Sequence, residues 1–214
     1  MSSEREKDRR ITSKEKKEIS KQEIIFVTSN KGKYNSARRV LEGFGIKVIQ
    51  KNIPIPESRG SIEEIAVQKA KYAYKTFKEP LLVNDSGFFV KSLNGFPMMF
   101  TNFALETIGN EGILKLAEGK ARDCEFKEIL CYLDGSRKKP KIFERIVKGK
   151  LAFKEKGRLS PRHWSKLSLI FIPEGGKKTL GEMTDEEYDD FHKKIENSSH
   201  WEQFGNFYSN LKSI

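Results

Sequence analysis

Apolar residues fall in short runs separated by polar clusters, and their spacing assigns most elements. Ile24-Ile25-Phe26-Val27 is a buried strand predicted over 24–28. Ala37, Val40, Leu41 and Phe44 recur at helical spacing, so 34–44 is a helix, ended by Gly43 and Gly45. A second strand follows at 47–51. Ser61-Ile62-Glu63-Glu64 is a capping box: the Ser61 hydroxyl meets the third helical N–H and Glu64 reaches back. The helix it opens runs to about Phe77, with Ile62, Ile65, Ala66, Ala70, Ala73 and Phe77 as its apolar stripe. Lys69 lies one turn from both Ile65 and Ala73, so it is either snorkelling or reaching into a cleft.

Leu81-Leu82-Val83 is a third strand, stopped by the polar cluster Asn84-Asp85-Ser86-Gly87. The pattern beyond predicts a helix over 101–117 and a strand over 122–133. It then predicts a hairpin or strand pair over 141–156 around Gly149, a strand over 167–172 and a helix over 184–195. Strands alternate with helices early and cluster later, which indicates a mixed α/β sheet. Residues 1–22 mix charges of both signs with almost no apolar residues and read as a flexible or partly helical tail. One α/β domain is expected over 23–214.

Composition narrows the classes. The chain has 214 residues, 36% hydrophobic and 33% charged, with no run able to span a bilayer and no apolar signal segment. A cytoplasmic protein is expected, with Cys124 and Cys131 as reduced thiols. The formal net charge is +11. Between Asp134 and Lys166 twelve Lys or Arg face three acids, whereas Glu182 to Asp190 carries six acids and no base. The basic stretch 137–166 is either a solvated face or a surface for nucleic acid or a nucleoprotein. His163, His192 and His200 lack zinc spacing and read as surface histidines.

Two polar clusters follow buried strands: Thr28-Ser29-Asn30-Lys31-Gly32-Lys33 and Asn84-Asp85-Ser86-Gly87. In open α/β sheets, ligands sit outside the carboxyl ends of strands, and a helix N-terminus there offers N–H groups to phosphate. The GxxxxGK[ST] spacing of a Walker A loop is absent. Lysines in such a place bind phosphate oxygens, and carboxylates hold Mg²⁺ and orient water.

In order, Thr28-Ser29-Asn30-Lys31-Gly32-Lys33, Ile55-Pro56-Glu57, Val67-Gln68-Lys69-Ala70, Asn84-Asp85-Ser86-Gly87, Asn94-Gly95-Phe96-Pro97 and Ile170-Phe171-Ile172-Pro173-Glu174-Gly175, leading to Glu182-Met183, resemble the inosine/xanthosine triphosphate pyrophosphatase family. The resemblance implies an elongated α/β fold with two lobes around a central cleft, usually as a homodimer. It also implies Mg²⁺-dependent hydrolysis of deaminated purine nucleoside triphosphates to monophosphate and pyrophosphate. By it, Thr28, Asn30, Lys33 and Lys69 hold the triphosphate, and Ser86 bonds a phosphate or ribose. Asp85 and Glu57 are catalytic, and Glu57, Asp85 and Asn84 hold the metal.

The sequence departs from the family's pattern at several places. Ser36 stands where the pattern has Glu, and Asn84 replaces the first of two adjacent carboxylates. Ser165-Lys166-Leu167-Ser168-Leu169 replaces the aromatic and Asp that read the base. Met98-Met99-Phe100-Thr101-Asn102-Phe103 replaces a GPYxKW run. Read without gaps, Tyr188 takes the place of a phosphate-binding lysine, and Lys193-Lys194 takes that of the His-Arg pair that reads the purine. Ser199-His200-Trp201 echoes that pair only with an insertion. Two functions are therefore expected: a pyrophosphatase with altered base selectivity, or a catalytically impaired relative that binds nucleotide, nucleic acid or nucleoprotein through its basic surface.

Overall fold

Strand β1 (Gln22–Val27) alternates its side chains between two helical layers and is buried on both faces from Ile24 onward. The computed structural model describes residues 22–56, 60–136, 139–161, 163, 165–196 and 199–211. The tail expected over 1–22 therefore lies outside the described residues except for Gln22. Helix α1 (Lys31–Leu41) starts at Asn30, whose side chain accepts from the Lys33 N–H. It carries the chain over to β2 (Ile46–Lys51), parallel to β1 with Val48 opposite Ile24. Helix α2 (Ile62–Phe77) opens on the Ser61–Glu64 capping box, with both reciprocal bonds formed.

Strand β3 (Leu81–Val90) pairs parallel with β1 only over Leu81–Val83, then runs on alone on that side until β4 (Pro97–Met98) meets Phe88 and Phe89. Two short helices follow, α3 (Thr101–Thr107) and α4 (Gly109–Leu116). Strands β5 (Asp123–Leu133) and β6 (Lys141–Leu151) form a long antiparallel ribbon, and β7 (Phe171–Pro173) adds to the end of β6. Helices α5 (Asp185–Glu196) and α6 (His200–Leu211) complete the order. Among the described residues the sheet has seven strands, ordered β2-β1-β3-β5-β6-β7 with β4 beside β3.

The core has three parts. Ile24, Phe26, Leu82, Leu130 and Tyr132 face α1 and α6, which supply Leu41, Trp201, Phe204 and Tyr208. Ile25, Val27, Val83, Ile129 and Cys131 face α2 through Ile62, Ala66, Ala70 and Ala73. At the other end Phe88, Val90, Val147, Leu151, Phe171, Leu180 and Tyr188 form a separate core. The first two parts make one lobe and the third makes the other, with β3, β5 and β6 running through both.

Several expectations need correction. Asn84-Asp85-Ser86-Gly87 does not end a strand; it lies inside β3, because β5 pairs with β3 without a break from Leu81 to Val90. The helix expected over 101–117 divides at Ile108, where Gly109 takes φ +64°. The hairpin or strand pair expected over 141–156 around Gly149 is one strand, Lys141–Leu151. Gly149 is there because a Cβ would stand 2.4 Å from the Ile172 carbonyl oxygen on β7. Residues 166–169 form a 3-10 turn, leaving only Phe171–Pro173 as strand. The apolar face of α6 goes unpredicted by the sequence reading. His200, expected at the surface, is fully buried.

Candidate functional site

The site begins where β1 stops. Val27 is the last β1 residue paired with β3, opposite Val83, and β4 resumes the pairing only at Phe88. Between them Asn84 to Gly87 face a notch in the sheet. Strand N–H and C=O groups alternate between the two edges. The even residues of β3 point toward this side: Phe88 donates its N–H to Thr101 Oγ1, and the Val90 N–H bonds Phe96 O. Ser86 therefore turns its N–H and C=O into the notch, as Asn84 does.

Lys33 fills the gap left by β1. Its Nζ donates to the Asn84 carbonyl oxygen at 3.0 Å. Burial pushes the Lys33 pKa down, with the carboxylates of Glu128 and Asp85 opposing that shift. The turn that aims it is built locally. Thr28 Oγ1 accepts from the Asn30 N–H at 3.1 Å, and Gln50 Nε2 donates to Thr28 O at 2.9 Å. Asn30 Oδ1 takes the Lys33 N–H at 3.0 Å. The first-turn N–H groups of Lys31 and Gly32 are left without intrahelical partners, and no acid stands in that turn to neutralise them.

Consecutive residues on a strand face opposite ways, so Asn84 and Asp85 part company. Asp85 turns to the α2 face, where Lys69 Nζ stands 2.7 Å from its Oδ1. Lys69 thus reaches into the cleft, one of the two alternatives its position left open. Asn84 turns to the α1/α6 face. Its Nδ2 stands 3.0 Å from His200 Nε2, in a hydrogen bond that joins the amide to the ring. Burial lowers the His200 pKa to about 4, so the ring is neutral near pH 7. Asn84 Oδ1, Asp85 Oδ2 and His200 Nδ1 are buried without a hydrogen-bond partner among the described residues.

Two charged residues that the sequence reading missed lie beneath the notch. Glu128 on β5 stands opposite Ser86, and Arg145 on β6 stands opposite Glu128. Arg145 ion-pairs with Glu128 through both Nε and Nη2. Burial acts to raise the Glu128 pKa, but the charges of Arg145 and Lys33, with the Arg145 hydrogen bond, oppose it and the pKa falls. The available signal was a charge at an inward position of each strand, which only the register could reveal. On the α2 face Lys127 pairs with Glu63 and, at 2.8 Å, with Glu144.

The structure thus brings Thr28, Asn30, Lys33, Lys69, Asp85 and Ser86 to one notch, with Asn84 turned away from Asp85. Glu57 lies outside the described residues. Lys193 and Lys194 are exposed on α5, where Lys193 stands 3.7 Å from Asp190. No described contact joins them to the notch. Tyr188 is buried in the far core. Within the basic stretch, Arg145 is turned inward and Lys156 lies 3.7 Å from Glu182, whereas Lys148 and Lys150 are exposed. Arg137, Lys138, Arg162 and Trp164 lie outside the described residues. Among those described, no group of three or more His, Cys, Asp or Glu is placed to hold a metal, and no helix is long and apolar enough to cross a membrane.

Comparison with known proteins bears on the family and the fold. A family model described as the Ham1 family matches residues 24–197. A dITP/XTP pyrophosphatase of Methanopyrus kandleri is 38% identical over 167 residues, covering 77% of this chain and 86% of that protein. One from Thermococcus kodakarensis is 39% identical over 170 residues, with the same coverage of 77% and 86%. Among solved structures, the Staphylococcus aureus Ham1 protein matches with a TM-score of 0.71 at 19% identity, covering 89% of this chain and 100% of that one. A nucleoside-triphosphatase / dITP/XTP pyrophosphatase from Mycobacterium abscessus matches at 0.68 and 23% identity, covering 82% and 95%. At these identities the solved structures speak for the fold alone.

Proposed function

The chain belongs to the Ham1 family, and we propose that it hydrolyses nucleoside triphosphates at the α–β phosphoanhydride, releasing a monophosphate and pyrophosphate. One observation carries this reading. Two lysines, from helices on opposite faces of the sheet, converge on the consecutive residues Asn84 and Asp85. Phosphoryl chemistry needs positioning and charge neutralisation more than covalent help. The Lys31 and Gly32 N–H groups at the start of α1, with the Ser86 N–H and hydroxyl in the notch, are donors for phosphate oxygens. Lys33 and Lys69 supply the cationic charge. Asp85, with Oδ1 held by Lys69 and Oδ2 buried without a hydrogen-bond partner among the described residues, orients the attacking water and accepts its proton.

A divalent cation such as Mg²⁺ fits this site in one respect: Asp85 Oδ2 is a hard oxygen ligand with no partner among the described residues. Glu57 is the second carboxylate that the family resemblance supplies. When bound, the ion would neutralise phosphate charge. Asn84, facing His200, stands apart from this pair.

We further propose that base selectivity is relaxed. Leu167 and Ser168, in place of the base-reading residues, are buried in a 3-10 turn. A site that lacks the groups to hydrogen-bond a base cannot reject other bases strongly. The test is pyrophosphate release from a panel of ITP, XTP, dITP, ATP and GTP with Mg²⁺, with Asp85→Asn as control. Turnover that Asp85→Asn abolishes, with rates across the panel within about tenfold, is expected. Turnover no greater than that of Asp85→Asn would refute the activity, and strong preference for ITP and XTP would refute relaxed selectivity.

A further inference from the structure

We propose that Glu128 is a positioning residue for Lys33: it holds the Lys33 ammonium in the notch from the neighbouring strand, in place of the charge that position 84 does not supply. This rests on the pyrophosphatase reading only for what Lys33 is held toward. An ammonium withdrawn from water needs a counter-charge as well as hydrogen bonds. The hydrogen bond Lys33 makes is to a neutral carbonyl, Asn84 O. Asp85 is already engaged by Lys69 and faces α2. Asn84 is neutral, and its amide is committed to His200.

Glu128 meets the need. It stands opposite Ser86, two residues along β5 from Leu130, the partner of Asn84, and so shares the α1/α6 face with Asn84. Diagonal neighbours of this kind lie about 7–8 Å apart, within reach of a lysine side chain. Of the carboxylates acting on Lys33, Glu128 acts most strongly, ahead of Asp85. Its own geometry is fixed by Arg145. Both described guanidinium contacts of Arg145 fall on Glu128 Oε2, and His200 Nδ1 faces the same oxygen at 3.9 Å. A carboxylate at position 84 would lie diagonal to Glu128 on a buried face, two like charges close together. On this face the negative charge near Lys33 thus comes from Glu128 on β5 and not from position 84 on β3.

The test is a double-mutant cycle of Lys33→Met and Glu128→Gln in the full chain, read by urea unfolding and by KM for ITP in pyrophosphate release. In unfolding, the loss in the double variant should be about tenfold smaller than the product of the single losses, as for two charges that act on each other across the notch. In turnover, Glu128→Gln should raise KM about tenfold with kcat nearly unchanged, and should add nothing in the Lys33→Met background. Losses that simply multiply would overturn the proposal, as would an unchanged KM in a folded Glu128→Gln protein. Should Glu128→Gln not fold, the same cycle is run with Glu128→Asp, which keeps the charge but withdraws it by one methylene, and the same two outcomes decide. A wild type that releases no pyrophosphate would refute the activity, while the unfolding cycle would still decide whether Glu128 holds Lys33.

Discussion

Lys69 Nζ and Asp85 Oδ1 stand 2.7 Å apart, joining the middle of α2 to the middle of β3. The side chains are 30% and 15% exposed, so the pair is shielded yet open to the notch. A lysine in that position can keep its carboxylate oriented and still meet an incoming phosphate. Lys69→Met should lower kcat/KM by about 10- to 100-fold, the worth of a charge-assisted hydrogen bond. Steady-state pyrophosphate release measures it, and an unchanged kcat/KM would remove Lys69 from the site.

His200 should make the fold acid-sensitive. Its pKa falls from 6.5 to about 4 in the folded state, because burial disfavours the charged ring. The unfolded chain binds the proton more readily between these values. The stabilisation is therefore fully present above pH 6.5 and is lost as pH falls toward 4, by up to about 3 kcal/mol. His200→Gln keeps an acceptor for the Asn84 amide but does not titrate. Urea unfolding at pH 7 and pH 4.5 should show wild type losing more stability than the variant, and equal losses would contradict the assignment.

The capping box at Ser61 should contribute measurably to stability. Ser61 Oγ accepts the Glu64 N–H, and Glu64 Oε2 accepts the Ser61 N–H. Ser61→Ala should cost about 1 kcal/mol and lower Tm by about 2–4 °C for a chain of this size. A thermal melt of the two proteins decides it.

Both thiols should be silent in the native protein. Cys124 and Cys131 are buried, and burial pushes their pKa values up, that of Cys131 to about 12. The thiolate is the reactive form. A thiol reagent at pH 8 should label neither residue until urea unfolds the chain, then both; prompt labelling of one thiol in the native chain would show that the core around that thiol opens, the two lying on opposite faces of β5.

The sequence marked most of the residues that line the notch but only part of its architecture. Thr28, Asn30 and Lys33 were legible because strand, cap and helix follow one another locally. Lys69 was legible as an anomaly on an apolar stripe. Asn84 to Gly87 looked like a loop because small polar residues are poor strand formers; pairing with the whole of β5 overrides that preference. Gly87 is required there, since a Cβ would stand 2.8 Å from the Met98 carbonyl oxygen. Glu128 and Arg145 were not legible, because they meet only through the register of two strands. His200 looked like a surface residue because nothing in its neighbourhood announces the buried amide 116 positions earlier that it serves.

The open side of β6 illustrates how the molecule avoids unwanted company. Strand β7 covers only Gly149–Leu151, so among the described residues the earlier part of β6 has no strand beyond it. Helix α6 reaches across instead, and Gln203 Nε2 donates to the Glu144 carbonyl oxygen at 3.0 Å. That amide occupies an acceptor which another chain's backbone would use, and the exposed Lys141 and Lys148 discourage a close approach. Helix α6 is thus a guard against strand-to-strand aggregation as well as a wall of the core, and a chain cut before His200 would lose solubility together with its fold.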